Sequence, residues 1–143
     1  MNLNLSLDQA RAIIAAALDR GLELGLKPLT VAILDAGGHL IALQRQDGAS
    51  TMRPQIAIGK AAGALSLGVS SRTIAEMAAE RPVFIASLGP ISPAGIIPAA
   101  GGIIVKGADG AILGAVGITG DTSDNDEACA LAGVAAVGLA AQG

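Results

Sequence analysis

Two glycine-centred turns constrain this chain more than any other feature. Ala36-Gly37-Gly38 separates the β-rich runs 30–35 and 39–45, and Ala108-Asp109-Gly110 separates 102–106 from 111–118. Glycine adopts positive φ without steric cost, which a chain reversal this tight requires. Each turn therefore predicts a β-hairpin. Both strands of the first hairpin are largely apolar on both faces, so helices or neighbouring subunits are expected to cover them.

Helical spacing fills most of the rest. Ser6 with Gln9 three residues later is a capping-box pattern, and Leu7, Ala10, Ile13, Ile14, Ala17, Leu18 and Leu22 follow at helical intervals. Gly25 and Lys27-Pro28 end this first helix, read as residues 6–26. A second helix is predicted over 53–68, and a third from Ser71 or Thr73 to Glu80, stopped by Pro82. Residues 81–100 hold Pro82, Pro90, Pro93 and Pro98 and read as a long apolar loop with one short strand at 83–87. Such a loop in a small domain is more often functional than idle. Thr119-Gly120-Asp121-Thr122 leads into a last, Ala-rich helix running from Ser123 to the end, with Ser123 and Asp126 as its cap. The order is helix, hairpin, two helices, loop, hairpin, helix, without a βαβ crossover. It predicts an α/β protein of the α+β type: one antiparallel sheet built from two hairpins and flanked by helices, in a single domain over residues 1–143.

Composition narrows the partners. Hydrophobic residues make up 52% of the 143 and charged residues only 15%, so part of the apolar surface is expected to lie between subunits of a homo-oligomer. Phe84 is the only aromatic residue, and nine Lys and Arg stand against twelve Asp and Glu. Base stacking and a basic footprint are both missing, which argues against nucleic acid. Every apolar run is cut by Gly, Pro or a charge before the ~18 residues of a membrane span. The first residues lack a signal-peptide pattern, and Cys129 stands alone, so a reducing cytoplasm without membrane association is the expected setting.

Several residues carry candidate chemistry. His39 is the only histidine and lies four positions from Asp35 across the first turn. An Asp-oriented imidazole is a competent general base, although a strand-end histidine is often only a solvated one. Lys60 sits in an otherwise apolar helix and either snorkels or faces a pocket. Arg53, Arg72 and Arg81 flank the same stretch and offer guanidinium forks for a carboxylate. Asp121, Asp124, Asp126 and Glu127 suit the first turn of a helix better than a metal, since calcium-loop spacing is missing. One His and one Cys cannot complete a zinc set, so no metal is expected. Cys129 reads as an inert core thiol. Gly114, Gly117 and Gly120 do not form a phosphate-binding fingerprint.

Three segments, VAILDAGGHLIALQRQDGA, IAIGKAAGAL and GGIIVKGADGAILGAVGITGDTSDNDEACALAG, resemble in order and spacing the HbpS/GlcG-like family, which includes the C-terminal domain of PduO-type proteins. The resemblance covers nearly the whole chain. It implies a profilin-like layout, assembly into dimers and higher oligomers up to an octamer, and a place among accessory proteins of small-molecule catabolism, some of which bind haem. It also implies an iron-ligating histidine from the first helix. That helix has none here, while His39 lies in the matched hairpin and Met52 and Met77 are the other candidate ligands.

Two main functions follow as expectations. The first is a cofactor-independent hydrolase or isomerase acting on a small organic acid or lactone. In it Lys60, His39 and Asp35 are catalytic, Arg53 and Arg81 hold an anionic ligand, and the Gly101 and Gly102 N–H groups serve as oxyanion donors. On that reading Lys60→Met abolishes activity and leaves the oligomer intact. The alternative is a haem- or tetrapyrrole-binding accessory or sensing protein. A structural subunit of a catabolic pathway is the third reading.

Overall fold

The computed structural model describes residues 3–142. Helix α1 (Leu7–Glu23) starts where the capping box places it: the Ser6 hydroxyl accepts from Gln9 N–H, and the Gln9 side chain returns to Ser6 N–H. Strands β1 (Thr30–Asp35) and β2 (Leu40–Arg45) turn at Gly38, whose φ of 85° is the left-handed value anticipated for the turn. Helices α2 (Arg53–Leu67) and α3 (Ser71–Glu80) follow. Gly68 closes α2 in a left-handed conformation, and Ser70 caps α3 through Thr73 N–H.

Residues 82–88 correct the sequence reading. They form helix α4 (Pro82–Leu88), not a strand. Pro82 opens the helix, where its missing N–H costs nothing and its fixed φ is already helical. The β-preference of Val83, Phe84 and Ile85 has no neighbouring strand to act on, and β-propensity is largely a preference for such neighbours. A 3₁₀ turn (Gly89–Ile91) continues from it. Strands β3 (Gly102–Lys106) and β4 (Ile112–Thr119) make the second hairpin, and α5 (Ser123–Ala136) follows. The cap of α5 is Thr122, accepting from Asn125 N–H, and not Ser123 with Asp126. The last helix also stops short of the end: past Gly138 (φ 71°) the chain forms a short strand β5 (Ala140–Gln142) on the edge of β3.

The five strands run in the order β2-β1-β4-β3-β5, every pair antiparallel. Side chains alternate across the sheet. Val31, Ile33, Ile103, Val105, Val116 and Ile118 meet α1 and α5 in the larger core, against Ile13, Ile14, Cys129 and Val134. Cys129 is thus the buried thiol expected. On the opposite face Leu34 and Ala115 meet α2 through Ala61 and Ala62. That face is lined with small residues because α2 lies almost on the backbone: a Cβ at Gly117 would sit 1.9 Å from Ala57 O. Coverage by helices is what β1 needed, being buried along nearly its whole length, whereas β2 remains an open edge. Among the described residues no helix is long and apolar enough to cross a membrane.

Candidate functional site

The sequence-predicted residues assemble into two separate centres. The first lies under α2. Lys60 Nζ donates to Ile118 O at 2.9 Å and to Asp126 Oδ2 at 3.3 Å, with the two side chains 3% and 2% exposed. Asp126 Oδ1 accepts from Asp121 N–H at 3.0 Å. Burial pushes the Lys60 ammonium down and the Asp126 carboxyl up from their ordinary values, and the attraction between them opposes both shifts. Gly101 and Gly102 close over this pair. A Cβ at Gly101 would lie 3.0 Å from Nζ and 2.4 Å from Ile118 O, and one at Gly102 2.2 Å from Lys60 O. The Gly102 N–H donates to Ser71 Oγ at 2.7 Å, so it is spent inside the protein and not held ready for an oxyanion. Lys60 therefore ties α2, β4 and α5 together and is sealed from solvent.

The second centre is the tip of the first hairpin. Asp35 Oδ1 accepts from the N–H groups of Gly37 and His39, each at 2.9 Å. His39 Nδ1 lies 3.2 Å from Oδ1 and 3.3 Å from Oδ2 of the same carboxylate. These bonds, the His39 N–H foremost, hold the Asp35 carboxyl below its ordinary value against the effect of burial. The carboxylate assigns the proton to Nδ1 and leaves the Nε2 lone pair on the far side of the ring. That ring is 81% exposed, and among the described residues Nε2 makes no hydrogen bond. Gly37, against which the ring packs, is also a wall of a cleft of about 180 Å³ between the turn, Ala62 and Leu65 of α2, and Pro93 and Ala94. A further cleft of about 170 Å³ shares Ser66 and Pro93 and extends to Leu88, Ile91 and Ile96.

The two centres do not meet. Lys60 binds the carbonyl of Ile118, which pairs with Val31, whereas Asp35 pairs with Gly114. Four residues of strand separate them by roughly 13 Å. The shared pocket expected for Lys60, His39, Gly101 and Gly102 is thus not formed; His39 joins Asp35, and Lys60 joins the two glycines. The arginines scatter as well. Arg53 donates to Thr119 Oγ1 at 2.8 Å and Ser50 Oγ at 3.1 Å, and Arg81 stacks 4.2 Å over the Phe84 ring. Arg72 is ion-paired with Asp124 and Glu127. The sequence reading missed Asp126 as the partner of Lys60, because its first-turn position suggested a helix cap.

A protein-family model described as haem degrading protein HbpS-like matches residues 5–135. This chain belongs to the HbpS-like family. Among solved structures, HbpS is 30% identical, with a TM-score of 0.81 over 94% of this chain and 91% of that one. ORFY of Klebsiella pneumoniae is 25% identical, with a TM-score of 0.84 over 96% and 94%. The PduOC:heme complex is 21% identical and superimposes at a TM-score of 0.86 over 98% and 99%, a likeness that shows the fold. Among curated proteins none matches this sequence. The antiparallel α+β layout implied by the resemblance is the one observed. The expectation of a protein without a cofactor is overturned: the HbpS-like family is described as haem-degrading, and a structural neighbour holds heme.

Proposed function

We propose that this HbpS-like chain binds haem, with His39 as the residue that would hold its iron. The observation that carries this reading is the Asp35-braced imidazole standing beside apolar clefts. Iron-ligating histidines commonly donate their second ring nitrogen to a carboxylate, which fixes the tautomer and makes the free nitrogen a better donor. His39 is already in that state, with Nδ1 engaged and Nε2 open. Apolar surface for a macrocycle lies next to it, at Leu40 and along the clefts to Ile91, which is 78% exposed. Met52, at the start of α2, and Met77, on α3, carry thioethers, which have no second ring nitrogen for a carboxylate to brace. Bound there, the group would supply a redox-active, ligand-binding iron; His39 would hold it, Asp35 would keep the proton on Nδ1, and the aliphatic side chains of the clefts would pack against the macrocycle. Exposed Ile91, on the wall of the second cleft, favours a second copy closing over it, in keeping with the oligomers that the resemblance implies.

The organic-acid hydrolase or isomerase loses its premise, since it required Lys60 and His39 in one pocket. Haemin titration followed by gel filtration tests the haem reading. The expected result is a saturating Soret band that co-elutes with the protein, and its loss in His39→Ala. A wild-type protein that elutes without the band overturns haem binding. Retention of the band in His39→Ala with unchanged affinity overturns the ligand assignment.

A further inference from the structure

We infer that the corner where α2 begins, bounded by Lys27, Ser50 and Arg53, is a second ligand site that takes a small oxyanion, a carboxylate or a phosphate. The charge pattern comes first. Arg20 and Arg72 are neutralised by carboxylates. Half-buried Arg53 instead gives its Nε to Ser50 Oγ and its Nη1 to Thr119 Oγ1, both neutral, and Arg45 Nη1 donates to Ala49 O at 2.8 Å. Among the described residues neither Arg45 nor Arg53 makes an ion pair. A guanidinium held by neutral oxygens keeps its full charge for a carboxylate or phosphate, which it grips with two parallel N–H bonds.

The surroundings repeat this preference. A cleft of about 200 Å³ opens here, lined by Lys27, Pro28, Gly48, Ala49, Ser50 and Arg53. Helix α2, 15 residues long, starts at Met52, which has no side chain able to cap it; Arg53 N–H is taken by Ser50 O and Pro54 has none, so the positive end of the helix meets the cleft without a carboxylate or hydroxyl cap. The acids nearby are Asp47 and Asp121. Asp121 is occupied by Lys27 N–H, Thr122 N–H and Asn125 Nδ2.

An independent sign lies beneath the corner. Thr30 Oγ1 is fully buried and, among the described residues, has no hydrogen-bond partner. Thr30 pairs with Arg45 on one side and Thr119 on the other, so its side chain shares the α2-facing row with the hydroxyl that holds Arg53. Buried hydroxyls without partners are rare, and this one marks polar capacity under the cleft that the chain leaves unused. The volume suits an inorganic anion or a short carboxylic acid. It also lies at the far end of β1 from His39, five residues or roughly 17 Å away along the strand.

Titration of the full chain at constant ionic strength with inorganic phosphate and, separately, malonate tests the site, followed by amide NMR. The expected result is saturable shifts at Thr51, Met52 and the Arg53 Nε–H for at least one of the two, with the tighter probe identifying the preferred anion. Arg53→Gln should weaken that binding at least tenfold. Arg53→Lys, which keeps the charge and loses the fork, guards against a folding defect and should weaken it severalfold. Thr30→Val should raise the melting temperature of the ligand-free chain while lowering the affinity. Shifts that stay linear with both anions, or an affinity unchanged in Arg53→Gln, overturn the proposal and leave the haem reading at His39 untouched.

Discussion

Two base–carboxylate pairs stand at opposite ends of the β1–β4 ladder, Lys60 with Asp126 at 3.3 Å and His39 with Asp35 at 3.2 Å. Their separations are the same and their surroundings are not. The first pair is sealed, and burial is the leading influence on both partners, pushing each toward its neutral form. The second has a ring 81% exposed, and its carboxylate is held as an anion by backbone N–H groups. A buried pair spends its donors and acceptors on the fold, whereas an exposed one keeps a lone pair for a ligand. Solvent access, and not the presence of an acid beside a base, separates the structural tie from the tip proposed as a binding site.

The largest effect that can break this distinction is at Lys60. Lys60→Met leaves Asp126 buried without a counter-charge, and removing one partner of such a pair costs roughly 3–5 kcal/mol. Urea unfolding should show a loss of that size. Lys60→Met with Asp126→Leu should recover most of it, since an apolar pair of similar volume has no charge to desolvate. The signs of the shifts agree. Asp126, raised, contributes stability that is lost as pH rises through its folded value; Lys60, lowered, contributes stability that is lost as pH falls through its own. Where both are charged, both shifts work against the folded state, so the pair is costly to break without being a net source of stability. If Lys60→Met unfolds no earlier than wild type, the sealed pair is not a structural tie.

A smaller effect is expected at Gly101. Its φ of 128° disfavours any side chain, and a Cβ would strike Ile118 O, the same oxygen that accepts from Lys60. Gly101→Ala should cost roughly 1–3 kcal/mol from the backbone conformation, with the collision adding to it. Affinity at the distant tip proposed for haem should be unchanged. A variant of wild-type stability would show that the segment over Lys60 yields easily, contrary to the close packing described above.

Local chemistry decided what was legible in the sequence. The hairpins were readable because glycine at a turn is a backbone requirement, and α1 because its capping box spans only four residues. The same holds for the tip: Asp35 and His39 are four apart, and the turn between them fixes their encounter. Lys60 and Asp126 are 66 positions apart, and nothing near either residue names the other. Helix α4 was misread because Val83, Phe84 and Ile85 look like a strand until the absence of a pairing partner is known. Strand β5 was missed for the converse reason: Ala140–Gln142 has little β-preference and owes its conformation to β3. The glycine stop at Gly138 was the one available signal.

The smallest effect sharpens the comparison from the exposed side. Asp35 is held below its ordinary value of 3.8, first by the His39 N–H. Its contribution to stability is therefore present above the unfolded value and is lost as pH falls through the lower folded one. Asp35→Asn keeps an oxygen to accept the Gly37 and His39 N–H groups but carries no charge to titrate. At pH 6 the variant should melt slightly below wild type. As pH falls below 3.8 toward the lower folded value the gap should close, because only wild type loses this contribution. Asp121, held at about 2 chiefly by the Asn125 side chain, titrates alike in both proteins and drops out of the difference. Melting curves that stay parallel through this range would mean that the tip does not hold the carboxylate as an anion. The contrast with Asp126 would then rest on exposure alone.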